Sequence, residues 1–139
     1  MLKNLRQPFL FIFALLIVGC GSGDDLRIAA NGVTRVHAQL DNLQFADIYS
    51  QADDALRSVT KQQDFLDFVG AVHRKLGKVQ SAIQSNYFVN FTTSGTRVRL
   101  NYRTKFEGGD AQEEFVWKIK GESAVLVGYH INSTALIIK

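Results

Sequence analysis

The sequence predicts an α+β domain in which helices come first and a four-stranded antiparallel sheet follows, and three observations predict it. Apolar residues recur at helical spacing as far as Leu76. After Gly77 the period changes from 3.6 to 2, the signature of strands with one covered face. The alternating segments are joined by links of only a few residues, "TSG", "EGGD" and "GES". A parallel crossover needs a dozen or more residues, so these strands pair antiparallel, with the helices covering one face of the sheet.

The elements follow in order. Val33, Val36, Leu40 and Leu43 fall on one helical face, and "LDNLQ" is the expected break. "FADIYSQADDALRSV" continues with Phe45, Ile48, Ala52, Ala55, Leu56 and Val59 on a stripe, and Asp47, Asp53 and Asp54 opposite. The next helix is expected to start at Thr60, whose hydroxyl and Gln63 have capping-box spacing. Phe65, Phe68, Val69, Val72 and Leu76 form its apolar face, basic residues gather at its end, and Gly77 stops it. Strands are expected over 82–92, 96–106, 113–120 and 124–131. "TALIIK" either extends the last strand or forms a tail.

The first 19 residues have a different character. Lys3 and Arg6 precede "PFLFIFALLIVG", an uncharged run too short to cross about 30 Å of hydrocarbon as a helix. Charge, apolar run and small residues in that order make a signal peptide. The one cysteine of the chain follows, and Ile17-Val18-Gly19-Cys20 resembles a bacterial lipobox. That resemblance implies cleavage before Cys20 and acyl chains on its sulfur and new amino group, enough buried CH₂ groups for a stable anchor. Gly21 rather than Asp after the cysteine favours the outer membrane if the envelope has one. The expected organisation is therefore a signal peptide at 1–19, a lipidated cysteine and flexible tether at 20–26, and one domain at 27–139.

Charge is then read on the processed chain. Sixteen Lys and Arg include Lys3 and Arg6, so 14 remain against 13 Asp and Glu. A nearly neutral domain of this kind is not expected to bind nucleic acid.

Residues 47–82, "DIYSQADDALRSVTKQQDFLDFVGAVHRKLGKVQSA", together with the alternating strands and "VGYHI" near the end, resemble a group of bacterial exported proteins, the domain of unknown function 4019 family. The match rests on Phe65, Val69, Leu76 and Gly77 with His73 just before Arg74, on the aromatic-bearing second strand, and on Gly128, Tyr129 and Ile131. It covers roughly residues 40 to 132. The family often carries Trp where Phe65 stands. The resemblance implies a cystatin-like, or nuclear-transport-factor-2-like, cone with a curved sheet wrapped around helices. No catalytic residues are established for the family, so none carry over.

The candidate chemistry is sparse. His37, His73 and His130 sit on different elements without ligand spacing, so neither a metal nor another cofactor is expected. In the second strand, Val98, Leu100, Tyr102, Thr104 and Phe106 share one face, and Arg97, Arg99, Arg103 and Lys105 share the other with Asn101. Those four cations, with Glu113 and Glu114 as neighbours on the next strand, read either as a solvated outer face or as an interaction patch for an acidic protein, an anionic lipid or an envelope polymer. The expected role is a non-catalytic binding module held at the membrane by Cys20. The alternative is a small-molecule-binding or enzymatic cone in which Tyr87, Phe91, Tyr102, Phe106, Phe115, Trp117 and Tyr129 line a cavity, with His130 as base beside Asp47, Asp53 or Asp54. Two glycosylation sequons, at Asn90 and Asn132, are accidental in a bacterial lipoprotein.

Overall fold

The computed structural model describes residues 21–138, and within them the α+β architecture stands as the sequence predicts. Four helices, α1 (Ser22–Asp41), α2 (Phe45–Ser50), α3 (Asp54–Val59) and α4 (Gln62–Leu76), precede four strands and a short terminal helix. The strands are β1 (Val79–Thr92), β2 (Gly95–Phe106), β3 (Gly109–Lys120) and β4 (Ser123–Asn132), and α5 spans Thr134–Ile138. The sheet is an open antiparallel meander in the order β1-β2-β3-β4. Residues 1–19, expected to be a signal peptide, and Cys20 lie outside the described residues.

Helix α1 runs antiparallel to β3 along the inner face of the sheet. Gly32 sits on the Trp117 ring, His37 meets Glu113 and Phe115, and the Asp41 carboxylate accepts from the Val79 N–H at 3.0 Å. The core lies between helices and sheet. Val98, Leu100, Phe115 and Trp117 have no exposed surface, and Val33, Val36, Leu40, Leu56 and Phe65 close over them. A second cluster at the other end joins Val72, Leu76, Phe106 and Ala111, with Leu136 of α5 packed on it.

Several local expectations are corrected. The tether expected at 20–26 is helical from Ser22 onward. Gly21 takes an extended backbone at the N-cap, Asp24 and Asp25 occupy the first turn where the helix dipole favours them, and Leu26 packs on the core. The stripe from Phe45 to Val59 is two short helices rather than one piece. Its break falls at Gln51–Asp53, where Asp53 caps α3 by accepting from the Ala55 N–H at 3.0 Å and gives its own N–H to the Leu126 carbonyl at 2.8 Å. That bend turns Ala55 and Val59 to solvent. The capping box at Thr60 does not form. Thr60 ends α3 with an extended backbone, Lys61 is the N-cap of α4, and Gln63 instead donates to Asp67 at 2.9 Å. The tail forms α5, started by the Ser133 hydroxyl accepting from the Ala135 N–H at 3.3 Å.

In β4, Val127 is an extra residue: Val116 pairs with Gly128 and Trp117 with Leu126. This bulge lets Leu126 and Tyr129, three residues apart, both face inward. His130 consequently faces outward and is exposed.

Candidate functional site

Two places concentrate polar chemistry: a cluster in the interior and the helix-free outer face of the sheet. The interior cluster is centred on Glu113. In β3 it shares the inner face with Ala111, Phe115 and Trp117, and it is 1% exposed. One carboxylate oxygen, Oε2, accepts from His37 Nε2 of α1 at 2.8 Å and from the Thr104 hydroxyl of β2. The other, Oε1, accepts from the Tyr129 hydroxyl of β4 at 2.6 Å. An ionised carboxylate only accepts, and in that state the proton on the His37–Glu113 bond sits on His37 Nε2. Burial of the hydroxyl, with the charge and hydrogen bond of Glu113, pushes Tyr129 well above the usual tyrosine value. Burial and the same charge raise Tyr102.

The cluster ties one helix and three strands to a single carboxylate. Three donors offset the cost of removing that charge from water. The expectation that Glu113 would pair with the cations of β2 is corrected: period-2 alternation puts it on the face opposite Glu114. His37 had no partner that the sequence could show, because 76 residues separate it from Glu113. The signal that could have found the cluster is an acidic residue in register with Phe115 and Trp117.

The Glu113 side chain has no accessible surface, so no substrate reaches it in this arrangement. The aromatic cone is filled as well. Phe115 stacks on Trp117 at 6.1 Å and 7°, and Tyr129 lies 5.0 Å from Phe115. Tyr87 and Phe91 are exposed on β1. His130, Asp47 and Asp54 are not brought together with this interior. His130 is on the outer face opposite Glu114, and Asp54 pairs with Arg57 in α3. Asp53 is buried at the helix–sheet seam beside Lys120, 3.2 Å away.

The outer face carries the predicted patch. Arg97, Arg99, Arg103 and Lys105 are all exposed there. Arg99 Nε lies 3.8 Å from Glu114 Oε2, a long contact, and Asn101 donates to the same oxygen at 3.4 Å. Among the described residues, Arg97, Arg103 and Lys105 form no ion pair, and Arg97 stands directly across from Lys118. Arg103 and Lys105 border a groove of about 490 Å³ with Ser81, Ile83, Gln112 and Thr134 along its sides. Asp110 also lines it, in register with Lys105. Cationic heads, amide and hydroxyl groups and one aliphatic surface together suit an anionic ligand with polar substituents.

Among the described residues, no group of His, Cys, Asp and Glu is placed to hold a metal ion, and no helix is long and apolar enough to cross a membrane. No protein-family model matches the chain, and no curated protein matches it either.

Proposed function

We propose that this chain is an exported protein of the bacterial cell envelope, anchored by lipid on Cys20, whose domain binds an anionic partner and performs no catalysis. The observation that carries the binding reading is the outer face of the sheet. Four exposed cations stand there on one strand, among the described residues only Arg99 of the four lies within ion-pair distance of a carboxylate, and Arg103 and Lys105 border a groove that Asp110 also lines. Among the described residues no helix covers this face, so the exposed cations are open to a partner. The partner chemistry that fits is an acidic protein or a charged envelope polymer. The anchor reading is supported by the charged start, the apolar run and the Ile17–Cys20 tetrapeptide. Kinship with the domain of unknown function 4019 proteins is part of the same proposal and rests on the motifs quoted above.

The binding half is tested by reversing Arg97, Arg99 and Arg103 to Glu together. These side chains are outside the core, so the fold is expected to survive while recovery of acidic envelope partners is lost. Undiminished recovery refutes the patch. The anchor half is tested separately with Cys20→Ser. Release from the membrane fraction with loss of incorporated acyl label is expected; retention with no label in the unsubstituted chain refutes it.

A further inference from the structure

We infer that two copies of this chain join through β1, edge to edge and antiparallel about a two-fold axis, to form one eight-stranded sheet. In the four-stranded sheet β1 has a partner, β2, on one side only. It is long, 14 residues or roughly 45 Å at strand rise. Folded proteins normally blunt such an edge with charged side chains, proline or a covering element. Val79–Thr92 contains no charged residue and no proline. Its register shifts twice, at Gln80 and at Ser85, and just beyond the second shift the Tyr87 N–H is taken by the Asn86 side-chain oxygen at 2.8 Å.

The side chains say what covers this edge. Ile83, Tyr87, Phe88 and Phe91 are each more than half exposed. They do not share a face. Register with β2 puts Tyr87 opposite Leu100 and Phe91 opposite Thr96 on the inner, helix-bearing side, and Ile83 opposite Arg103 and Phe88 opposite Arg99 on the outer side. A bilayer surface or a docked helix would cover one side of the strand and leave the other wet. A strand that continues the sheet touches both.

A second β1 also fits by size, symmetry and charge. The four side chains bring on the order of 100 Å² each, and two copies with their backbone edges approach the 1,200 Å² or so of a stable interface. A two-fold axis normal to the sheet makes the contact self-complementary. It joins Tyr87 and Phe91 to their counterparts on one face and Ile83 and Phe88 to theirs on the other. The cations of β2 do not oppose this. Three strand spacings separate the two β2 rows, roughly 14 Å, beyond a screening length of about 8 Å. The outer faces then form one continuous surface bearing two copies of the cationic row.

The test is the oligomeric state of the full chain in neutral detergent, by sedimentation and native mass spectrometry, beside deuterium exchange of residues 83–91 as a function of protein concentration. A dimer is expected, with exchange of β1 slowing as concentration rises. Ile83→Lys, Phe88→Lys and Tyr87→Lys, all at exposed positions, are each expected to weaken the dimer by about tenfold or more with unchanged far-ultraviolet circular dichroism. A chain that stays monomeric up to about 100 µM overturns the inference. So does a dimer indifferent to all three substitutions, or β1 protection that depends on added vesicles and not on protein concentration. The exchange measurement uses the unsubstituted chain, so it decides the matter even if a lysine variant misfolds.

Discussion

Two glycines inside helices are expected to respond to the same substitution with opposite signs. Gly32 in α1 and Gly70 in α4 are both buried and helical, and in an open site alanine at either would gain up to about 1 kcal/mol of helix propensity. At Gly32 a Cβ would stand 2.9 Å from Trp117 Cη2, 3.0 Å from Cζ2 and 3.1 Å from Cζ3. That ring cannot retreat: it has no exposed surface, Phe115 stacks on it, and the Arg35 guanidinium is 5.9 Å from its centroid. Overpacking of a rigid core typically costs about 1–3 kcal/mol, so Gly32→Ala should lose about 1–2 kcal/mol net. At Gly70 the nearest atom is the flexible Arg74 Nη1 at 3.2 Å, with Phe45 next at 3.7 Å. The guanidinium swings aside, and Gly70→Ala should gain about 0.5 kcal/mol or more. Urea unfolding of both variants beside the parent reads the difference. Adding Trp117→Phe to Gly32→Ala should recover part of the loss, a coupling of about 1 kcal/mol in a double-mutant cycle. Two variants of equal stability, or no coupling to position 117, would refute the packing argument.

The remaining predictions concern the buried polar groups. Glu113→Ala leaves His37, Thr104 and Tyr129 without their acceptor and should cost about 3–5 kcal/mol, with Glu113→Gln intermediate; an alanine variant within 1 kcal/mol of the parent in chemical unfolding would show the cluster to be energetically idle. The Ala55 N–H above all, with Lys120 and against the opposing effect of burial, holds Asp53 below the ordinary carboxylate value. Its ionised form therefore adds stability that is present above about pH 4 and is lost as pH falls through the folded value. Asp53→Asn keeps a capping side chain, so it should flatten the acid limb of a stability–pH curve without abolishing folding. Tyr129 is shifted upward, so its contribution is complete below about pH 10 and is lost as pH rises beyond it. Tyr129→Phe should reduce the alkaline slope, leaving the part due to Tyr102.

Much of this fold is written in local patterns. The switch of period at Gly77 and the three short links separate helices from strands, and alternation in β2 places Val98, Leu100, Tyr102, Thr104 and Phe106 inside and the four cations outside. The outward placement of those four side chains was legible for that reason. What escaped depends on contacts between distant residues. Thr60 and Gln63 have the spacing of a capping box, yet the chain enters α4 one residue later, and the Thr60 carbonyl accepts from the Tyr49 hydroxyl at 2.8 Å. The glycines and aspartates after Cys20 look like a tether, but α1 is ordered by what it packs against rather than by propensity. Glu113 was misplaced because its charge outweighed its position in the alternation. Its partners come from α1, β2 and β4, and no window of sequence contains them.

The buried carboxylate has a consequence for how the sheet finds its alignment. In a half-buried strand, a slip by one residue exchanges the two faces. Such a slip in β3 would turn Gln112, Glu114, Val116 and Lys118 toward the helices and expel Phe115 and Trp117. A purely apolar inner face rejects this only by lost burial. A slip that brings Gln112 to the place of Glu113 also leaves three donors, on Tyr129, Thr104 and His37, without a carboxylate, and a slip in either direction turns the Lys118 ammonium toward the apolar core. Even a two-residue shift, which preserves inside and outside, moves Glu113 away from all three donors at once. Glu113 thus discriminates among pairings that hydrophobic content alone would score alike, and its effect belongs to the choice of one alignment over its competitors as much as to the stability of that alignment.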